Sequence, residues 1–369
     1  MSSEIFIGLM SGTSLDAIDA VIVELRNNSV KLLHSSEYRF PEKLRHQLAN
    51  LIEHPETVSL DHLGTAHRAL GIAYADAVMQ LLSAAKLQPD EIVAIGCHGQ
   101  TVRHQPDSNP AFTFQIGDAA TLATATGITV VNDFRSADIA LGGQGAPLVP
   151  AFHRYAFADS ARDRIVVNIG GIANITVLKR GSDTAGFDTG PGNTLLDHWA
   201  EKNLGKRYDD NGAWAREGNV IEPLLDAMLA DHYFSLEPPK STGREYFNAA
   251  WLQRHLQATD AAHKAIDVQA TLAELTTRSV AIAILRVAPD ADVYLCGGGA
   301  KNGHLAERLA ANLERQRVAT TEELGVGPDW VEACAFAWLA RARLQHACGN
   351  VPAVTGAARP AILGAITAP

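Results

Sequence analysis

Apolar residues run from Ile5 to Gly8, give way to the polar turn Met10-Ser11-Gly12-Thr13-Ser14, and resume with β-branched character from Ala20 to Leu25. That pattern predicts strand, tight turn, strand. Leu63, Leu70, Ala73, Ala77 and Leu81 recur at helical spacing, so residues 60–85 are expected as an amphipathic helix. Short buried strands are expected at 92–95, ending in Gly96-Cys97-His98-Gly99, and at Val130-Val131, ending in Asn132-Asp133-Phe134-Arg135. Residues 165–169 and 174–178 predict a hairpin about Gly170-Gly171, followed by Gly186 to Asn193 and a helix over 194–203. A long helix over 268–287 precedes a strand at 293–295, the run Gly297-Gly298-Gly299, a helix from His304 and a last long helix over 331–346. Strands followed by alternating strands and helices predict α/β lobes with mixed sheets. Polar, glycine-rich residues gather at strand ends, where such sheets bind ligands.

A chain of 369 residues exceeds one ordinary hydrophobic core, so two lobes are expected. The net charge of -10 argues against nucleic acid or an anionic membrane as partner, because both require a basic surface. Cys97, Cys296, Cys334 and Cys348 form no Cys-x-x-Cys pair and read as buried thiols in a reducing compartment. No basic segment followed by an apolar core opens the chain, and no run of about 18 apolar residues is found. Neither a signal peptide nor a membrane span is therefore expected.

Four polar segments containing glycine lie beside strands, at 11–19, 168–174, 186–193 and 296–302. Glycine lets backbone N–H groups approach an anion with no Cβ in the way. One such segment is commonly just a tight turn; four in one chain, each beside a strand, are harder to dismiss. The P-loop spacing is absent. Gly297-x-Gly299 follows a strand and opens a helix as a dinucleotide turn would, but Asn302 stands where the third glycine belongs. Asp188-Thr189-Gly190 matches the aspartic-protease triplet, which needs two carboxylates side by side, and this chain has one such triplet. Asp188 is better read as an acid in a glycine turn before a helix, able to accept a proton from water or a hydroxyl during attack on phosphorus. The plainer alternative is a cap on the helix from Thr194, although Pro191-Gly192-Asn193 sets Asp188 far from that end.

The run Gly8-Leu9-Met10-Ser11-Gly12-Thr13-Ser14-Leu15-Asp16 resembles the opening of anhydro-N-acetylmuramic acid kinases. So do Gly96-Cys97-His98-Gly99-Gln100-Thr101-Val102, Asp118, Asp133-Phe134-Arg135 and Asp138-Ile139-Ala140. The runs from Gly142 to Pro150, Asn168 to Asn174, Asp188 to Asn193, Lys240 to Glu245, Cys296 to Gly299 and Val354 to Ala357 match as well, so the resemblance covers essentially the whole chain. It implies a two-lobed actin-like ATPase (ribonuclease H-like) α/β fold, with mixed sheets flanked by helices and an ATP cleft between the lobes. The lobes are expected as residues 1–130 with about 350–369, and 131–349 with the substrate- and adenosine-binding elements. The implied reaction moves ATP's γ-phosphoryl group to O6 of 1,6-anhydro-N-acetylmuramic acid while water opens the bridge at C1. The products are N-acetylmuramic acid 6-phosphate and ADP, within peptidoglycan recycling in the bacterial cytoplasm. ATP and Mg²⁺ are the implied cofactors, and a homodimer the implied assembly.

By the same resemblance, Gly12, Thr13, Ser14, Leu15, Asp16, Ala17, Ile18 and Asp19 form the ATP-binding segment, assisted by Gly170 and Gly171. Gly297, Gly298 and Gly299 lie against the adenosine. Asp188 is the base that activates water at C1, and Glu332 is a second active-site acid. An acid at a helix start is favourable in any case, which is the alternative for Glu332. Arg135 is the candidate partner of the substrate's lactyl carboxylate, since guanidinium grips carboxylate bidentately. Its alternative is an ion pair with Asp133 or Asp138. His98 and Asp133 are further substrate candidates, His98 also being readable as structural. Asp16 and Asp188 are the candidate Mg²⁺ ligands. Ala17 stands where the family usually has glycine, which costs about 1 kcal/mol if φ is positive there. A kinase for an ordinary sugar and a non-catalytic nucleotide-binding protein are the competing readings.

Overall fold

The computed structural model describes residues 4–12, 15–259 and 262–369. Thr13 and Ser14 of the expected ATP-binding segment lie outside the described residues. The chain forms two compact units, residues 1–156 with 330–369, and residues 157–329.

From the N-terminal side come β1 (Glu4–Met10), β2 (Ala17–Arg26), β3 (Ser29–Arg39), α1 (Glu42–Glu53), α2 (Leu60–Ala85), β4 (Ala94–Cys97), β5 (Gln100–Gln105), β6 (Phe112–Ile116), α3 (Ala119–Thr126), β7 (Val130–Asn132), α4 (Ser136–Ala140) and α5 (Val149–Phe157). The second unit contains β8 (Arg164–Ile169), β9 (Ile172–Leu178), β10 (Ala185–Pro191), α6 (Thr194–Leu204), α7 (Ala213–Glu217), α8 (Glu222–Leu229), α9 (His232–Ser235), α10 (Ala249–Ala258), α11 (Ala265–Val287), β11 (Asp292–Cys296), α12 (Gly303–Leu313) and β12 (Val318–Thr320). The chain then returns to the first unit with α13 (Val331–Leu344), α14 (Pro352–Thr355) and β13 (Ala365–Thr367).

The first unit's main sheet is mixed and six-stranded, in the order β13-β7-β4-β1-β2-β3. β1 pairs antiparallel with β2 and parallel with β4. Its near-continuous apolar sequence follows from cover on both faces. Ile7 and Leu9 join Leu70, Tyr74 and Val78 of α2 in one core. The alternate residue Gly8 meets α13 instead: a Cβ there would lie 1.9 Å from the Ala333 carbonyl, and one on Gly96 of β4 would lie 1.9 Å from that of Phe336. The α13 backbone therefore rests directly on two strands of this sheet. That contact corrects the expected lobe boundaries, because residues 330–349 belong with the first unit. Residues 131–156 belong there too, since β7 pairs parallel with β4 and antiparallel with β13.

The second unit's sheet runs β10-β9-β8-β11-β12, antiparallel on the hairpin side and parallel from β8 through β12. Its core packs Ile165, Val167 and Ile175 with Leu272, Leu275 and Ile284 of α11. α11 is long and apolar enough to cross a membrane by length and composition, which the sequence reading passed over; 78% of its most apolar window is buried in this core. One cysteine also departs from expectation, since Cys348 is exposed whereas Cys97, Cys296 and Cys334 are buried.

Candidate active site

The turn between β1 and β2 is anchored from below. The Ser11 hydroxyl lies 2.8 Å from the Tyr74 hydroxyl of α2 and donates to the Gly99 carbonyl at 3.3 Å. Leu15 donates its N–H to the Gly12 carbonyl at 3.2 Å and takes a left-handed φ of 54°. The conformation that favours glycine thus falls on Leu15. Ala17 opens β2 opposite Arg39 and is not among the positive-φ residues, so alanine there carries no backbone strain. Asp16 is exposed, Asp19 lies on β2 opposite Met10, and the Ile18 side chain is buried in the core.

His98 follows β4 and is buried, with its ring 4.6 Å from that of Phe336 on α13. Arg135 donates from Nε and Nη2 to His98 Nε2 at 3.1 and 2.9 Å, and from Nη1 to the Gly145 carbonyl at 2.7 Å. Accepting at Nε2 leaves His98 neutral, its proton on Nδ1. Burial, then the neighbouring guanidinium, holds its pKa well below the usual histidine range. Among the described residues Arg135 forms no ion pair within 4 Å with Asp133 or Asp138, and three of its five N–H donors are used by His98 and Gly145. Asp133 is exposed at φ 53° and accepts from the Ser136 hydroxyl at 2.5 Å, closing the turn into α4. Glu332 sits in the first turn of α13. Its side chain reaches solvent, yet the crowding of protein around it raises its carboxyl pKa, against the pull of Arg135. Burial lowers the Arg135 pKa, with Glu332 and then Asp138 opposing.

In the second unit, the β8–β9 turn and the entry to α6 are laced together. Gly171 accepts from the N–H groups of Gly192 and Thr194 at 2.9 and 3.1 Å, and Gly170 from that of Asn193 at 2.8 Å. A Cβ on Gly192 would lie 2.3 Å from the Gly170 carbonyl, so only glycine fits. At the end of β11, Gly297 has φ 77°, and a Cβ there would lie 2.2 Å from Asn168 Oδ1. Gly298 is open and exposed. Because β8 and β11 are parallel, Gly170-Gly171 and Gly297–Gly299 share one sheet edge, beyond the carboxyl ends of both strands. At this edge Gly298 is exposed, Gly170, Gly171 and Gly297 are half-buried and Gly299 is buried, and the Gly297 N–H is bonded to the Pro328 carbonyl at 3.1 Å.

Asp188 is not in a turn, as the sequence reading had it, but in β10, opposite Asn174 and just before a bulge at Gly190. It does not cap α6, whose N-cap is Asn193. Its Oδ2 accepts the Thr242 N–H at 3.0 Å, its own N–H bonds the Lys240 carbonyl at 3.1 Å, and its carbonyl accepts the Tyr233 hydroxyl at 2.7 Å. Burial raises its pKa to about 6, the Thr242 N–H pulling down and Glu245 pushing up. Such a carboxylate is ionised at neutral pH yet basic enough to take a proton.

Cys296, Asn168, Asn174 and Asp188 are successive cross-strand partners and so face the same side of the sheet. The Asn174 amide makes no hydrogen bond among the described residues, and neither does Asp188 Oδ1. Sequence reasoning assigned no role to Asn174, Thr242 or Tyr233. For Asn174 the available signal was a polar residue between Ala173 and Ile175 on a strand, and for Thr242 its place in the matching run Lys240 to Glu245; for Tyr233 there was none. No group of three or more His, Cys, Asp or Glu among the described residues could hold a metal.

The family model described as anhydro-N-acetylmuramic acid kinase matches residues 4–369. The chain is 50% identical over 369 residues to the anhydro-N-acetylmuramic acid kinase of Coxiella burnetii (strain RSA 493 / Nine Mile phase I), covering 99% of this chain and 98% of that protein. It is 48% identical over 372 residues to the protein of the same name from Saccharophagus degradans, covering 100% of each. Likeness to solved structures is remote: the activator of the 2-hydroxyisocaproyl-CoA dehydratase from Clostridium difficile with bound ADPNP is 13% identical, at a TM-score of 0.45 over 93% of this chain and 96% of that one. That distance is too great to carry a functional argument.

Proposed function

We propose, from the premise that this chain belongs to the anhydro-N-acetylmuramic acid kinase family, that it converts 1,6-anhydro-N-acetylmuramic acid, ATP and water to N-acetylmuramic acid 6-phosphate and ADP. Water attacks C1 and loses a proton to Asp188 as the C1–O6 bond breaks. The released O6 attacks the γ-phosphorus, and the bond to the bridging oxygen of ADP breaks. This chemistry belongs to bacterial peptidoglycan recycling in the cytoplasm.

The observation that carries this reading is Asp188 itself. Its pKa of about 6, one oxygen held by the Thr242 N–H and the other without a protein partner, suits a general base working near neutral pH. The amide of Asn174, cross-strand partner of Asp188, would orient the attacking water. The glycine edge at 170–171 and 297–299 would meet the nucleotide with the little side-chain bulk that close backbone approach requires, and the family resemblance gives residues 12–19 as the ATP-binding segment. Mg²⁺ would come with the nucleotide and be held mainly by its phosphates, with Asp16 and Asp188 as candidate protein ligands. The ion supplies charge neutralisation on the transferring phosphoryl group. Arg135, braced by His98, would receive the lactyl carboxylate in its two remaining N–H donors, and Glu332 would act as the second acid.

The test is an ADP-release assay with 1,6-anhydro-N-acetylmuramic acid, run beside N-acetylmuramic acid and glucose, with product masses. ADP with the anhydro-sugar alone, and a product heavier by one phosphoryl group and one water, is the expected result. A product heavier by the phosphoryl group alone would remove the role given to Asp188. ADP from none of the sugars would overturn the kinase reading.

A further inference from the structure

We propose that Asp138 is a positioning residue for Arg135, acting through Gly145. The proposal rests on the reading of Arg135 as the partner of the lactyl carboxylate.

Asp138, on α4, has no exposed surface. A buried carboxylate is costly unless every oxygen is satisfied. Here Oδ1 accepts from Asn350 Nδ2 at 2.6 Å and from the Thr355 hydroxyl at 2.7 Å, and Oδ2 accepts the Gly145 N–H at 2.8 Å. The loop after α4 wraps this carboxylate tightly. A Cβ on Gly143 would lie 2.2 Å from Oδ2, and the Gln144 N–H bonds the Thr355 carbonyl at 2.7 Å.

The consequence lies one bond further on. Gly145 presents its N–H to Asp138 and its carbonyl to Arg135 Nη1, at 2.7 Å. The guanidinium is therefore clamped between a carbonyl whose residue is fixed by Asp138 and the His98 ring on its other edge. Asp138 and Arg135 form no ion pair within 4 Å; the Asp138 charge favours the guanidinium through space, while the hydrogen-bonded connection between them runs through the Gly145 residue. This chain of contacts also links the run from Gly142 to Pro150 with Asn350 and Thr355, over 200 residues away in sequence.

The carboxylate is needed for its acceptor count. Asn350, Thr355 and Gly145 all donate, and a carboxylate can accept from all of them. An amide keeps one acceptor oxygen and turns an NH₂ group towards either Gly145 or the Asn350–Thr355 pair. The orientation that keeps two of the three bonds turns the oxygen to Asn350 and Thr355 and the NH₂ group to the Gly145 N–H, so Asp138→Asn loosens Gly145 with almost no change of volume.

The experiment compares 1,6-anhydro-N-acetylmuramic acid with 1,6-anhydro-N-acetylglucosamine, which lacks the lactyl group, in the full-length wild type, D138N, T355V, R135Q and R135Q/D138N. The expected result is a KM for the lactyl sugar at least tenfold higher in D138N, with kcat within threefold and the KM for ATP within twofold. The preference for the lactyl sugar, as a ratio of kcat/KM values, falls by the same factor. T355V shifts the preference in the same direction by less, and the double variant is no worse than R135Q. Equal losses on both sugars in D138N and T355V, with R135Q still abolishing the preference, would make Asp138 merely structural and overturn the proposal while the Arg135 reading stands. An unchanged preference in R135Q would overturn the Arg135 reading and this proposal with it. If D138N does not fold, T355V decides: a preference shift supports the relay, and its absence overturns it.

Discussion

Asp188→Asn should slow the enzyme and stabilise it at once. Burial raises the Asp188 pKa from 3.8 to about 6, and each pKa unit is worth about 1.4 kcal/mol. The folded state therefore holds this proton up to about pH 6, whereas the unfolded chain releases it near pH 4. Between those values the folded state binds more protons, so its stability falls as pH rises through the window, and the cost is complete above pH 6. The ionised carboxylate thus destabilises the neutral-pH protein by roughly 3 kcal/mol at most. Asparagine cannot ionise, and its carbonyl oxygen can still accept the Thr242 N–H. The variant should gain several degrees in Tm at pH 7.5, and that gain should vanish near pH 4. Turnover should fall by at least about 10²-fold, the lower end for general base catalysis. Thermal unfolding of both proteins from pH 4 to 8, beside ADP release over the same range, measures both effects. In the wild type, kcat/KM should drop tenfold per unit below about pH 6. A variant that turns over within tenfold of wild type, or that is less stable at pH 7.5, would refute the reasoning.

Other outcomes follow from the same geometry. Gly297→Ala puts a Cβ 2.2 Å from Asn168 Oδ1 at φ 77°, so ATP affinity measured by calorimetry should fall and Tm should drop; unchanged binding would detach this edge from the nucleotide. Ala17→Gly should leave the KM for ATP unchanged and cost about 0.5–1 kcal/mol in urea unfolding, since residue 17 is strand and not a left-handed turn. Asn174→Ala should lower kcat while leaving ATP binding intact, which single-turnover kinetics would show. Glu274 is 1% exposed and accepts from Arg278, Arg308 and Asn312. Burial pushes its pKa up, but those hydrogen bonds outweigh it and hold the carboxyl below its usual value. Its contribution is therefore present above the ordinary carboxylate range and lost as pH falls below it. Glu274→Ala should cost about 3 kcal/mol at pH 7 by urea unfolding.

Local pattern alone determined much of this protein. The helical spacing of Leu63, Leu70, Ala77 and Leu81 places α2 at Leu60–Ala85 as read, because an amphipathic period needs no partner to be visible. The hairpin about Gly170-Gly171 and the helices after Asn193 and Gly299 were likewise legible from turn chemistry. The glycine runs and Asp188 were marked as candidate chemistry by residue type. Tertiary structure decided how these parts are used. The lobe boundaries moved because α13 lies on Gly8 and Gly96, a contact between segments more than 200 residues apart. Asp188 became a strand residue with a pKa of about 6 because burial, which no motif records, raises it. Arg135 was first read as pairing either with a ligand or with a neighbouring acid, and only the folded chain brings His98 Nε2 and the Gly145 carbonyl to it. Periodicity and turn propensity act within a few residues and can be read along a chain; burial and hydrogen-bond partnership depend on which distant segments meet, and that is set only by packing.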